Sequence, residues 1–269
     1  MNLIFQDKLA VFAVAAALLT AVAGCEKTGY PDAQPVSGPS ATTTRVQLVN
    51  ATPDASALNF LVENVQIGTP LAPGQATGYV TVRAAATPAA ASQLRIDNAG
   101  GTLGTADIVT KPLLSPSLAY TLFATDSINR PRVTNAAGIV TDAGGVRGLQ
   151  ITDTLRVPAA GTARLRFFHL APDAPAVSVR LINSAGASAG TINNRTYRQA
   201  SGAALSYVQV PTGTYTVQVY AGATAPASLT ATPVLNVPNV ALADGKIYSI
   251  YARGLLRTRT LSAAIITHN

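Results

Sequence analysis

The sequence predicts an all-β protein: two tandem immunoglobulin-like β-sandwich domains after a lipoprotein signal peptide and a flexible tether. Three observations carry that prediction. Apolar and polar residues alternate over short runs, turn-forming residues separate the runs, and a segment beginning at Arg45 recurs from Arg164, an offset of 119 residues.

With 269 residues, 48% of them hydrophobic, the chain can fill one large core or two smaller ones, so most of it is expected to be ordered. Only 12% of residues are charged and 6% aromatic, with 21 Gly and 17 Pro, which disfavours a charged helical bundle or coiled coil. A single cysteine excludes an internal disulfide and a multi-cysteine zinc site, and two histidines leave little for triad or metal chemistry. The net charge of +7 comes from 19 Lys and Arg against 12 Asp and Glu. Those arginines, from Arg45 and Arg83 to Arg164 and Arg166, are spaced by apolar and small residues, so a solvated sheet face is expected and no nucleic-acid partner.

The first element is a targeting segment. Lys8 precedes a 14-residue apolar run from Leu9 to Val22, too short for the roughly 20 residues that cross a hydrocarbon core as a helix. Val22-Ala23-Gly24-Cys25 follows and resembles the lipobox of bacterial lipoproteins. That resemblance implies cleavage after Gly24 and acylation of Cys25, giving a chain anchored in the membrane without spanning it. Residue 26 is Glu, where an aspartate would resemble an inner-membrane retention signal, so the outer membrane is the expected location.

Residues 1–24 are thus read as the signal peptide and 25–43 as the lipidated cysteine and tether. The tether holds three prolines and no apolar periodicity, and its flexible span is roughly 20 to 25 Å. Repeat 1 is assigned to 44–158 and repeat 2 to 159–269. Arg45, Pro53, Asp54, Ala55 and Ala57 match Arg164, Pro172, Asp173, Ala174 and Ala176. Tyr79-Val-Thr-Val and Ala119-Tyr-Thr-Leu-Phe-Ala match Tyr207-Val-Gln-Val and Ile247-Tyr-Ser-Ile-Tyr-Ala, both at an offset of 128.

Within each copy, Val177, Val179 and Leu181, and again Tyr215, Val217 and Val219, lie one residue apart with polar residues between them, the mark of half-buried strands. Pro211-Thr212-Gly213 reads as the turn of a hairpin, and runs at 149–151, 155–157 and 261–266 bring the expectation to about seven strands per repeat. In the Pro53-Asp54 and Pro172-Asp173 turns, proline presets φ and the carboxylate is expected to accept backbone N–H groups after the first strand. One carboxylate per loop falls short of the six to eight oxygens of a calcium site, so no metal is expected.

His169-Leu-Ala-Pro-Asp-Ala-Pro-Ala-Val-Ser-Val, Val210-Pro-Thr-Gly-Thr-Tyr-Thr-Val-Gln-Val and Gly245-Lys-Ile-Tyr-Ser-Ile-Tyr-Ala-Arg-Gly resemble the bacterial domain-of-unknown-function family 4397. The second repeat is similar along nearly its whole length. The resemblance implies secreted or lipid-anchored β-sandwich modules, often in tandem, and brings no catalytic residue or cofactor.

For nucleophilic catalysis only His169 and His268 are available as bases. His169 is expected at a strand end against the Pro-Asp turn, and His268, one residue from the end, is expected to fray. Asp97, Asp107, Asp126 and Asp142 are the carboxylates that a hydrolase would have to bring together. Among the aromatics, Tyr79, Tyr120, Tyr207, Tyr215 and Tyr248 fit strand cores, while Tyr197, Tyr220 and Tyr251 are the freer ligand candidates. Arg253, Arg257 and Arg259 are expected to line an exposed strand, protecting its edge or meeting an anionic glycan or lipid. The expected role is a non-enzymatic envelope protein whose modules display or bind, with partners limited to the membrane and a glycan or envelope protein. A glycan-binding accessory lipoprotein is the alternative, and an aspartate-based hydrolase comes third. Oligomeric state is open.

Overall fold

The computed structural model describes residues 43–269 apart from 85, 86, 88, 100–107 and 258. Val22, Ala23, Gly24, Cys25 and the tether through residue 42 lie outside the described residues, as does Asp107.

The first half contributes β1 (Thr43–Asn50), β2 (Leu58–Val62), β3 (Val65–Gln66), β4 (Val80–Arg83), β5 (Leu94–Asn98), β6 (Ile108–Thr110), β7 (Ala119–Thr125), β8 (Val133–Thr134), β9 (Val140–Asp142) and β10 (Arg147–Asp153). The second contributes β11 (Thr162–His169), β12 (Val177–Asn183), β13 (Ser188–Arg195), β14 (Val208–Pro211), β15 (Gly213–Ala221), β16 (Leu235–Leu242), β17 (Ile247–Leu255) and β18 (Arg259–Thr267). One 3₁₀ turn, Gly202–Leu205, is the only helical element among the described residues. The chain is all-β, as its period-two patterning requires.

Each half is a pair of four-stranded sheets, so the count is eight where seven were expected. The orders β10-β7-β1-β4 and β3-β2-β5-β6 recur as β18-β17-β11-β14 and β13-β12-β15-β16. The first half adds the small hairpin β8-β9. In both halves the first strand pairs in parallel with a strand from late in the repeat, Leu48 with Leu122 and Phe167 with Ile250. Tyr120 and Tyr248 close the same corner in each: their hydroxyls accept the N–H of Ser115 and Ala243 at 3.0 Å, the tyrosine-corner bond of Greek-key sandwiches.

Two local expectations are corrected. Pro211-Thr212-Gly213 is not the turn of a hairpin, because β14 and β15 belong to opposite sheets. The chain bends over the sandwich edge there, held by Tyr215 Oη donating to Pro211 O at 2.6 Å and Thr212 N–H to Gly161 O at 3.0 Å. The run at 155–157 is the connection between halves rather than a strand, with Val157 82% exposed.

The inward residues form a core in each half. Val46, Leu48, Leu58, Phe60, Ile96 and Leu122 pack together in the first, and Leu165, Phe167, Val179, Leu181, Val217 and Ile250 in the second. A third cluster lies between the halves, built from Val49, Phe123, Leu149, Ile151, Phe168, Leu170, Tyr251 and Ile266. Leu170 follows β11, and the others are the outward-facing residues of β1, β7, β10, β11, β17 and β18, so β7 is buried along its whole length and on both faces. Burial on both sides explains its continuous apolar run Ala-Tyr-Thr-Leu-Phe-Ala, which a half-solvated strand would not keep.

Candidate functional site at the junction

The junction joins equivalent surfaces. Strand pairing makes Phe123 the counterpart of Tyr251, Gln47 of Arg166, Thr121 of Ser249, Tyr79 of Tyr207 and Asp153 of His268. Phe123 and Tyr251 meet edge to face at 5.4 Å between centroids, and Phe123 also packs on Phe168 at 5.5 Å. Arg166 donates to Thr152 O at 3.1 Å, and the counterparts of that pair, Gln47 and Thr267, line one open groove of about 510 Å³. Meeting of like with like is the geometry of a two-fold interface.

Beside the apolar cluster runs a closed polar chain. Arg166 and Asp153, both fully buried, form an ion pair that joins the second half to the first. Asp153 also accepts Tyr79 Oη and Thr121 Oγ1, each at 2.8 Å, and Arg166 Nε donates to Ser249 Oγ at 2.8 Å. His268 completes the circuit, with Nδ1 2.7 Å from Tyr79 Oη and Nε2 2.7 Å from Ser249 Oγ. One proton arrangement satisfies every member: Nδ1–H donates to the Tyr79 oxygen and Nε2 accepts the Ser249 hydroxyl. The Arg166 guanidinium also stacks on the Tyr207 ring at 4.6 Å.

The expectation that His268 frays is therefore corrected. Its N–H donates to Ile247 O at 2.9 Å, and Asn269 next to it holds Ile247 N–H at 2.8 Å and Gly245 O at 2.7 Å. Burial, opposed by Asp153, lowers the His268 pKa from 6.5 to about 4. The unfolded chain then binds a proton between these values that the folded chain refuses, so stability is full above pH 6.5 and falls as pH drops toward 4. The shift corresponds to roughly 3 kcal/mol, and His268→Asn is expected to flatten that part of the stability-versus-pH curve in urea titrations.

The repeated Pro-Asp turns hold the open end of each sandwich. Asp54 accepts Ser127 Oγ and Ile128 N–H at 3.0 Å, and Asp173 accepts Leu256 N–H at 2.7 Å and Arg257 N–H at 3.1 Å. Both carboxylates thus cap the loop leaving the late parallel strand, β7 or β17, rather than their own turn. Sequence spacing could not show partners more than 70 residues away. His169 and its counterpart Asn50 brace the same turns: His169 Nδ1 accepts Ala171 N–H at 3.4 Å and Asn50 Oδ1 accepts Thr52 N–H at 3.1 Å. Burial holds the His169 pKa below its ordinary value.

A second charged group closes one end of the junction. Asp126, almost wholly buried, accepts Tyr197 Oη and takes Arg147 Nε at 2.5 Å, with Arg198 and Arg130 at 3.6 and 3.7 Å. Arg130 also bonds Asp142 at 2.5 Å, so two of the four carboxylates singled out do converge, though on a guanidinium between them. Hydrogen bonding from Arg130 and from Gly144 N–H lowers the Asp142 pKa to about 2. Asp97 lies elsewhere, bonded to Asn59 Nδ2 at 2.8 Å and Arg95 at 3.4 Å.

The ligand candidates separate on this frame. Tyr197 belongs to the Asp126 group, where burial and that carboxylate push its pKa upward. Tyr220 and Tyr251 are corrected as free aromatics, being 2% and 0% exposed: β15 and β17 lie inside their sheets, so both rings are covered. Arg253 reaches back across the junction to Thr52 O at 3.4 Å and Pro73 O at 3.2 Å instead of lining an exposed strand. Arg257 is exposed on the β17–β18 turn, and Arg259 opens β18, its side chain outside the described residues. A cavity of about 20 Å³ beneath His169, lined by Val177, Val219, Leu235 and Leu256, has room for about one water. Neither it nor the larger groove is lined by a carboxylate. Among the described residues no group of three His, Cys, Asp or Glu could hold a metal, and no helix is long and apolar enough to cross a membrane.

Fold and junction define a class: an all-β chain of paired four-stranded sheets, repeated and packed face to face. The model of the domain of unknown function DUF4397 matches residues 44–180, and the chain belongs to that family. The match covers the first half and continues through β11 into β12. No curated protein matches the chain. Among solved structures, the Bacillus anthracis TIE protein is similar at 10% identity and a TM-score of 0.24, over 79% of this chain and 50% of that one. The chain thus spans about half the length of that structure.

Proposed function

We propose that this chain is a non-enzymatic, lipid-anchored envelope protein that holds a tandem pair of DUF4397 modules, 44–158 and 159–269, at the outer membrane as one rigid recognition body. The closed Arg166–Asp153–Tyr79–His268–Ser249 chain supports this reading most directly. Its titratable groups satisfy one another and stiffen the joint, where catalytic groups would be aimed at open space. Asp142, held ionised to about pH 2, is unsuited to act as a general acid. The acyl anchor is supported by the apolar segment that ends at the chain's one cysteine.

The anchor is tested with Cys25→Ser. The expected result is loss of label from radioactive palmitate and recovery of the chain in the soluble fraction. Membrane retention with label would overturn the anchor.

A further inference from the structure

The two ends of the junction are built from equivalent positions but differ in charge. Asp126 is the counterpart of Gly254, and both lie at positive φ, +71° and +115°. Glycine takes that conformation freely, whereas aspartate takes it at a cost. Arg198 is likewise the counterpart of Gly74: each donates its N–H to the end of the first strand, at His169 O and Asn50 O. At the far end, Arg253 lies against Gly74 and bonds two backbone carbonyls, and among the described residues no carboxylate pairs with it. The junction closes there on carbonyl acceptors, whereas at the other end Arg198 bonds Thr125 Oγ1 and Gly148 O across the halves and Tyr197 bonds Asp126, so an acidic centre is added to the same kind of closure.

Charge is unbalanced at the Asp126 end. Arg130, Arg147 and Arg198 face Asp126 and Asp142, three guanidiniums against two carboxylates, with Arg132 exposed beside them. The arginine side chains are 17%, 40% and 18% exposed, while that of Asp126 is 2% exposed and lies behind them. Burial, and next the charge of Arg147, lowers the Arg198 pKa, whereas the hydrogen bond and charge of Asp126 outweigh burial and raise that of Arg147. The loop that carries Arg130 is fixed in place: Arg130 Nε donates to Gly145 O at 2.8 Å, and a Cβ on Gly144 would meet Arg130 O at 2.5 Å.

We propose that the Arg130, Arg147 and Arg198 cluster binds a phosphate group, its guanidiniums held in position around Asp126: Arg147 by Asp126 itself, Arg130 by Asp142 and Gly145 O, and Arg198 by Thr125 Oγ1 and Gly148 O. Guanidinium forks match oxyanions, and arginines approaching from several directions suit a tetrahedral acceptor better than a planar carboxylate. The negative charge of a phosphodiester is complementary to a group in which three guanidiniums meet two carboxylates. The inference names a ligand class for the recognition body and does not depend on the acyl anchor.

The phosphate could come from a lipid headgroup or from a free phosphate, and two water-soluble probes separate these sources. The purified whole chain is titrated with inorganic phosphate and with glycerophosphoglycerol, the deacylated headgroup of phosphatidylglycerol, by calorimetry and by NMR of arginine Nε–H resonances. Saturable binding of either probe is expected, with the Arg147 and Arg130 Nε–H signals moving. Arg147→Gln is expected to weaken binding at least tenfold, and Arg253→Gln, at the opposite end, to leave it unchanged. Binding of glycerophosphoglycerol alone assigns the headgroup, and of inorganic phosphate alone the free ion. No binding of either probe, binding of galacturonate in their place, or unmoved Nε–H signals in the wild-type chain overturns the proposal. Because no membrane enters the titration, its failure is distinguishable from failure of the anchor.

Discussion

Arg166→Ala lowers the unfolding free energy by about 3–5 kcal/mol, the usual cost of leaving one partner of a buried ion pair without the other. The loss is expected at the high end, because Asp153 would keep only Tyr79 and Thr121 as donors while its charge stayed buried. The midpoint of urea unfolding reads it, with the slope of the transition unchanged. Arg166→Met combined with Asp153→Leu is expected to recover part of the loss, since removing both charges removes the desolvation penalty that the single change exposes. A single change costing less than about 1 kcal/mol would mean that Asp153 finds water or another cation, and that the joint is softer than described.

Phe123→Ala is expected to cost a similar amount, about 3–5 kcal/mol, because it empties a site with no solvent access between Phe168 and Tyr251. Its distinctive consequence is where the loss falls. Truncating Phe60, inside the first sandwich, loosens that half alone, whereas removing Phe123 loosens the contact between halves. Amide exchange is therefore expected to quicken in both β7 and β17, and the single cooperative transition to broaden or split. Faster exchange confined to β7 would show that the halves are stabilised independently.

The inward faces of the sandwiches are legible in the sequence because alternation in a strand follows directly from its two-residue period. Val177, Val179 and Leu181 face the core of the second half as that rule requires. The junction is harder to read. Val49, Phe123 and Ile151 lie at the parity that alternation assigns to solvent, so only the continuous apolar run of β7 hints that both faces are covered. The repeated Pro-Asp pairs are plain in the sequence, yet their hydrogen-bond partners follow from parallel pairing of β1 with β7 and β11 with β17, which local patterning does not encode. Of the site residues, Tyr197 stands out as an aromatic outside a strand pattern. Arg130, Arg147 and Arg198 do not, because they are scattered over 69 positions: the first two meet at Asp126 through the fold of the first half, and Arg198 joins them only where the halves pack.

Joining both halves in one chain also changes what mutation can do to the surface they share. In a symmetric pair of separate copies, each substitution appears twice and must tolerate its own image across the axis. Covalent linkage removes that restriction: Arg166 stands where the other half has Gln47, and His268 where it has Asp153. Complementary charges can then occupy places that self-matching copies would have to fill alike, and one rim of the molecule can carry charge while the other carries glycines.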